Sequence, residues 1–187
     1  SLSLSLSLSL STLFTDIKST YAQNIIFFTQ VESPAIKIYD IENTSVKLQL
    51  WDTPGEMDML TVTRSDFRHA QGIVIAYDSC VPASLDNAMN WVKEIDRFCG
   101  RPIPIKLLLG CKSDKKSKSS VSEEKAEEIA SKMGMIYAEC SADNGMNVDA
   151  TFRKLAIKCM DRAREKNKSE TIPRRGSRSE DSCCTIS

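Results

Sequence analysis

The chain has 187 residues, of which 41% are hydrophobic and 27% charged, enough for one globular domain with a sizeable core and too few for two. Its formal net charge is zero. No run approaches the roughly 20 apolar residues of a membrane span, and no basic residue precedes an apolar run as in a secretory signal. The seven cysteines lack the spacing of a zinc site and suit a reducing cytosol.

Residues 1–10 are the dipeptide Ser-Leu repeated five times. Strict alternation has the period of a half-buried strand, but the same composition is equally a low-complexity tail. A third interpretation is that a CT repeat at an intron edge has been translated in place of a first exon, which would make this a truncated gene model. We predict a globular domain over residues 11–165 and a tail over residues 166–187.

From Ser11 onward the pattern predicts alternating strands and helices. Residues 46–51 alternate like a strand exposed on one side, whereas residues 72–77 and 105–109 are nearly continuous apolar runs, as in buried parallel strands. Between these two runs, helical spacing with Ser84 as the N-cap predicts a helix whose apolar face is Leu85, Ala88, Val92, Ile95 and Cys99.

A second helix is predicted after Ser120-Val121-Ser122-Glu123, a capping-box pattern, with Ala126, Ile129, Ala130 and Met133 as its apolar stripe. A strand at residues 135–138 follows, and then a last helix with Val148, Phe152, Leu155 and Cys159 on one face. This order predicts an α/β fold with a doubly wound, mostly parallel sheet. Ligands of such sheets lie beyond the carboxyl ends of the strands.

Three short motifs follow predicted strands: Asp52-Thr53-Pro54-Gly55, Gly110-Cys111-Lys112-Ser113-Asp114 and Glu139-Cys140-Ser141-Ala142. They resemble the D-x-x-G, N-K-x-D and E-x-S-A motifs of small GTPases, in the same order and spacing. Residues 47–53 resemble the Rab branch in particular. The resemblance covers nearly all of the chain from Ser11 and implies the small-GTPase fold, with the first strand and P-loop missing or replaced.

This resemblance implies a guanine-nucleotide site. Asp114 would accept hydrogen bonds from N1 and N2 of guanine, and the stem of Lys112 would lie along the purine with its charge in water. The N–H of Ala142, which follows Ser141 in the same motif, would meet O6, and the N–H of Gly55 would sense a γ-phosphate. The alternative for each is an ordinary turn residue or solvated charge.

Mg²⁺ with GTP or GDP is the implied cofactor. Asp52 would hold the ion through water. Counting back from Asp52 without gaps places Ser11 at the position of the P-loop serine and Thr29 at the position of the switch threonine. Both positions are metal ligands in the family. The neighbours of Thr29 share little with that switch, so Thr29 is either a ligand or a bystander.

Three departures from the family pattern concern the phosphates and hydrolysis. No glycine precedes Gly55 and no lysine precedes Lys18, so the phosphate-binding nest and its cation are absent. Cys111 replaces an asparagine that would bond the purine, and a thiol is a poor donor and acceptor. Glu56 occupies the catalytic position of the glutamine that orients the attacking water, so we expect slow hydrolysis.

The C-terminal region is basic, with ten Lys or Arg against three acids between Arg153 and Arg178. It ends in Cys183 and Cys184, and together these features resemble a Rab tail with a double-cysteine prenylation site; a farnesylated Cys-Thr-Ile-Ser box is the alternative. Two lipid chains, or one beside a basic patch, hold a protein stably on a membrane.

The resemblance implies a monomeric Rab-like small GTPase, a GTP/GDP switch of vesicle traffic on the cytoplasmic face of endomembranes that exchanges with the cytosol. Its implied partners are effector, exchange and escort proteins. The alternative is a nucleotide-free or weakly binding pseudo-GTPase that acts as a membrane-tethered interaction module. A nucleic-acid binder is not predicted, because the basic charge lies in one terminal tail without interleaved aromatics.

Overall fold

The structure is a computed structural model that describes residues 35–50, 70–99, 101–117 and 120–170. Its elements in chain order are β1 (Ala35–Ile41), β2 (Thr44–Leu50), β3 (Gly72–Asp78), α1 (Pro82–Phe98), β4 (Ile105–Cys111), α2 (Glu123–Lys132), β5 (Ile136–Glu139) and α3 (Val148–Glu170). A single 3₁₀ turn, Ser113–Lys115, follows β4. The predicted α/β alternation is therefore confirmed.

Strands β3, β4 and β5 form a parallel sheet in that order. Asp78 pairs with Cys111 at the end of β3, and Gly110 pairs with Glu139 at the end of β5. Because the strands are parallel, their carboxyl ends and the loops that follow them lie at one edge of the sheet.

Helices cover both faces of this sheet. Along β3, Val74 and Ala76 belong to the core beneath α3, whereas Ile73, Ile75 and Tyr77 belong to the core beneath α1 and α2. Burial on both faces explains why this strand reads as a continuous apolar run and not as an alternation.

Strands β1 and β2 form an antiparallel hairpin in a separate two-stranded sheet. Strand β2 is half-exposed, as predicted, but β1 was not among the predicted elements. The turn between them consists of Glu42 and Asn43, whose φ angles are 49° and 60°. Positive φ at both positions is the signature of a type I′ turn, which normally selects Asn and Gly.

The starts of two helices differ from the predicted caps. Helix α1 begins at Pro82 after Val81, which makes no side-chain cap, so Ser84 as its N-cap is wrong. Proline at the first helical position has a favourable φ and no N–H to satisfy, which reduces the need for a cap. In α2 the cap is Ser122, whose Oγ accepts a hydrogen bond from the backbone N–H of Lys125 across 3.3 Å. The predicted Ser-x-x-Glu box lay two residues too early.

Helix α3 contacts the hairpin through arginines of the basic C-terminal run. Arg164 donates to the carboxylate of Glu42 across 2.6 Å, and Arg153 donates to the carbonyl of Asp40 across 3.1 Å. The helix continues to Glu170 and so includes the first residues of the predicted tail. Part of the basic run is thus engaged in packing the domain.

A groove separates the hairpin from the parallel sheet. Its walls are residues 46–49 of β2, residues 71–72 at the start of β3, and Leu155, Ala156, Cys159 and Met160 of α3. The predicted loss of the first strand and P-loop concerns residues outside the described part of the chain and stays a prediction. Among the described helices, none has the length and apolarity needed to cross a bilayer.

Candidate functional site

The loops that follow β3, β4 and β5 are joined by backbone hydrogen bonds at one edge of the sheet. The N–H of Ser79 donates to the carbonyl of Cys111 across 2.9 Å, and the N–H of Ser113 donates to the carbonyl of Cys140 across 3.3 Å. An ion pair between Lys115 and Asp143 also connects the second loop to the third. These contacts bring the second and third sequence motifs side by side, as the predicted topology required.

The second loop turns sharply at Lys112. This residue has a left-handed backbone conformation, with φ of 59°, and caps the 3₁₀ turn that follows. The turn leaves Asp114 exposed at the surface of the loop. The Lys112 ammonium lies 2.6 Å from the carboxylate of Asp78. The Lys112 charge is thus paired with a carboxylate, while 39% of the lysine side chain remains exposed.

Asp78 was not predicted as a site residue. Its side chain is only 13% exposed, and its carboxylate accepts hydrogen bonds from the backbone N–H of Cys80 and from Lys112. Burial works to raise its pKa, but the hydrogen bonds and charge of Lys112, with the Cys80 N–H, together hold the pKa below its ordinary value. Asp78 is the last residue of β3, and an acid at the carboxyl end of a continuous apolar run was its signal in the sequence.

Three hydroxyls in these loops are buried without a hydrogen-bond partner among the described residues: Ser79 Oγ, Ser113 Oγ and Ser141 Oγ. Ser141 is fully buried, and its backbone N–H donates to the carbonyl of Met146 across 3.0 Å. An unsatisfied buried hydroxyl costs about 1–3 kcal/mol.

The thiol of Cys111 lies in the core beneath α3, where it is 1% exposed. It contacts the equally buried thiol of Cys140, and that hydrogen bond together with burial raises the pKa of Cys111 well above its ordinary value. Cys111, a predicted site residue, therefore contributes only its backbone to the loop, because its side chain points into the interior. Its neutral thiol adds no charge to the site.

Glu139, the first residue of the third motif, lies within a polar network at the same edge. It accepts hydrogen bonds from Lys116, at 2.5 Å, and from the hydroxyl of Tyr137. The Tyr137 hydroxyl also lies 3.3 Å from that of Tyr77. Burial and these hydrogen bonds raise the pKa of Tyr137 well above its ordinary value, so it remains a donor. The network fixes Glu139 at the end of β5, where the third loop begins.

The other predicted site residues lie outside the described residues: Ser11, Thr29, Asp52, Gly55, Glu56, Cys183 and Cys184. Within the described ranges, no group of three or more His, Cys, Asp or Glu side chains could hold a metal ion. The described part of the site is accordingly the end that would bind a base, and its residues fit one. Asp114 supplies an exposed carboxylate, and Lys112 supplies a partly exposed side chain.

The sequence profile of the Ras family matches residues 10–161. This chain belongs to the Ras family. Among its relatives, Ras-related protein Rab-13 of Bos taurus is 39% identical over 121 residues, which are 65% of this chain and 59% of that protein. GTP-binding protein YPTM2 of Zea mays is 38% identical over 127 residues, 68% of this chain and 62% of that protein.

Ras-related protein Rab-13 of Mesocricetus auratus is likewise 38% identical over 121 residues, 65% of this chain and 59% of that protein. The Ras-family chain thus matches these relatives over about three fifths of their length. The predicted resemblance to Rab-like small GTPases and the predicted fold class are both confirmed.

Proposed function

We propose that this Rab-like chain is a guanine-nucleotide-dependent switch that acts in vesicle traffic. The observation that carries the proposal is the convergence of two loops at the carboxyl edge of the sheet. Backbone hydrogen bonds and the Lys115–Asp143 ion pair place Lys112 and Asp114 beside Ser141 and Ala142. This is the edge at which doubly wound sheets bind ligands.

The residues at this edge suit guanine better than adenine. An exposed carboxylate such as Asp114 accepts two parallel hydrogen bonds from N1–H and the N2 amino group of guanine, and adenine offers no such pair. The Lys112 stem supplies an apolar surface for the purine face. The backbone N–H of Ala142 is a donor for O6. The maize relative is a GTP-binding protein by name, which supports the same ligand class.

The phosphate end of the site would depend on residues outside the described ranges. Ser11, Thr29 and Asp52 are the proposed ligands of Mg²⁺, which would neutralise the phosphates, and the Gly55 N–H is the proposed sensor of a γ-phosphate. Glu56 would take the place of the glutamine that orients the attacking water. Its charge would repel the phosphoryl group, so hydrolysis would be slow.

The tail would supply the membrane attachment. Prenylation at Cys183 and Cys184, together with Arg174, Arg175 and Arg178, would give the two signals that stable anchoring requires. The chain would then act on the cytoplasmic face of endomembranes and exchange with the cytosol. Effector, exchange and escort proteins would read its nucleotide state.

Titration of the purified full chain with GDP, GTP and ADP in the presence of Mg²⁺ tests the proposal. We expect saturable binding of GDP and GTP and no measurable binding of ADP. Asp114→Ala should abolish the guanine preference, whereas Asp86→Ala, on the exposed face of α1, should bind like the unmodified chain. Absence of guanine-nucleotide binding would contradict the proposal and favour a nucleotide-free interaction module.

A further inference from the structure

We propose that Asp78 is a positioning residue for base recognition, because its carboxylate holds the Lys112 ammonium so that the lysine stem forms a fixed wall of the purine site. The inference rests on the proposed binding of guanine nucleotides. It assigns a role to a residue that belongs to none of the three sequence motifs.

The carboxylate of Asp78 is fixed from two sides. The hydroxyl of Ser84 accepts from the Asp78 backbone N–H at 3.0 Å and lies 2.9 Å from the Asp78 carbonyl, to which it can donate. One carboxylate oxygen accepts from the backbone N–H of Cys80 at 2.8 Å. The other lies 2.6 Å from the Lys112 ammonium. The Ser84 hydroxyl therefore fixes the backbone of Asp78, and the Cys80 N–H fixes its carboxylate.

Lys112 is then held at both ends. Its backbone has a left-handed conformation, and its carbonyl accepts from the N–H of Lys115 at 3.0 Å. The Cys80 thiol also lies 3.8 Å from that carbonyl. With Cα fixed by the loop and Nζ fixed by Asp78, the four-carbon stem between them has little rotamer freedom left to lose when a base packs against it.

Exposure distinguishes this pair from an ordinary stabilising ion pair. The Lys112 side chain is 39% exposed, whereas its partner Asp78 is 13% exposed, so the lysine is the accessible member of the pair and the aspartate is the buried anchor. The pair between Lys106 and Asp96 has the opposite arrangement, with lysine at 10% and aspartate at 45%. Lys106 also lies near the start of β4, away from the loops of the site.

GDP titration of the full-length chain tests the assignment, with Asp78→Asn, Lys112→Met and the double variant. We expect Asp78→Asn to weaken GDP affinity about two- to tenfold, the cost of immobilising one lysine side chain. In the Lys112→Met background, Asp78→Asn should add no further loss. Asp96→Asn, which breaks the matched pair at the other end of β4, should leave the affinity unchanged.

A second measurement needs no nucleotide. NMR relaxation of ¹³C-labelled lysine should show the Lys112 methylenes ordered in the unmodified chain and mobile in Asp78→Asn, while thermal unfolding confirms that the variant is folded. A folded Asp78→Asn with unchanged GDP affinity, an equal loss in the Lys112→Met background, or a mobile Lys112 in the unmodified chain would each overturn the assignment. If the unmodified chain binds no GDP, the proposed function itself fails.

Discussion

A Cβ atom on Gly110 would lie 2.9 Å from the hydroxyl oxygen of Tyr77 and equally close to Ser79 Oγ. The Tyr77 side chain is fully buried, and its hydroxyl lies 3.3 Å from that of Tyr137 on the far side of β4. Glycine at position 110 therefore lets a large aromatic side chain pass over β4 just before the loop that carries Lys112 and Asp114.

Gly110→Ala should consequently destabilise the domain. The added methyl meets a ring that is held in the core, and overpacking of this kind typically costs about 1–3 kcal/mol. Urea unfolding of the purified chain would measure the loss. Gly72→Ala on β3 is the matched control, because its Cβ would meet side-chain atoms of Cys159 and Leu155 at 3.2 Å, and these can move. Equal losses for the two variants would contradict the steric explanation.

The βαβ core could be predicted from sequence because its signals are local. Strands β3 and β4 are buried on both faces, so they read as apolar runs, and α1 buries its periodic face at Leu85, Ala88, Val92 and Ile95. Strand β1 was not predicted because two of its three isoleucines point outward: Ile36 is 38% exposed and Ile38 is 60% exposed, whereas Ile41 is buried. Exposed β-branched residues alone do not show the period of a buried face.

The candidate site could be predicted only as three motifs at strand ends. The pairing of Asp78 with Lys112 joins residues 34 positions apart and depends on the left-handed backbone at Lys112. Neither the loop conformation nor the burial of Asp78 leaves a pattern in the sequence. The position of the Cys111 thiol was also hidden, since a strand's last residue can face either side of the sheet.

Acid should reduce the contribution of Asp78 to stability. The folded-state pKa lies below the ordinary value of 3.8, so the ionised carboxylate stabilises the fold at pH values above the unfolded pKa. That contribution is lost as the pH falls through the lower, folded-state pKa. We therefore expect Asp78→Asn to be less stable than the unmodified chain at pH 7, and the difference to shrink below pH 4 in urea-unfolding experiments.

Lys112→Met should show the opposite dependence of stability on pH. Without the lysine, burial is the dominant influence on Asp78 and raises its pKa, so this variant should gain stability relative to the unmodified chain as the pH falls. A stability difference for Asp78→Asn that stayed constant from pH 7 to pH 3 would show that the Asp78 carboxylate carries no linked proton.

Cys99 should resist alkylation at neutral pH. Burial, and next the charge of Asp96, raise the pKa of its thiol to about 11, against the opposing charge of Lys106. At pH 8 the thiolate would then be about a hundredfold scarcer than for an ordinary thiol. Mass spectrometry after pulses of iodoacetamide should show labelling of Cys99 that rises about tenfold per pH unit between pH 8 and pH 10.

Asp96→Asn is the matched variant for this experiment, because it removes the acidic charge beside Cys99 while leaving the helix in place. It should lower the pKa of the Cys99 thiol and speed its labelling at every pH below 10. Labelling of Cys99 in the unmodified chain that did not change with pH would instead point to access, and not ionisation, as the limiting factor.

The ion pair between Lys116 and Glu139 should matter more for stability than its neighbour between Lys115 and Asp143. Glu139 is 11% exposed, and Lys116 Nζ lies 2.5 Å from its carboxylate. Lys116→Met would leave this nearly buried carboxylate without its cation, at a cost of about 1–3 kcal/mol. Lys115→Met should be nearly neutral, because Lys115 and Asp143 are 56% and 46% exposed and water can replace either partner.

Combining Lys116→Met with Glu139→Gln should recover part of the lost stability. The amide removes the unpaired charge and still offers an oxygen to the hydroxyl of Tyr137, whose raised pKa keeps it a donor. Urea unfolding of the three variants and the unmodified chain at pH 7 would give the comparison. If the double variant were less stable than Lys116→Met, the carboxylate would have a stabilising role at the edge of β5 that does not depend on the lysine.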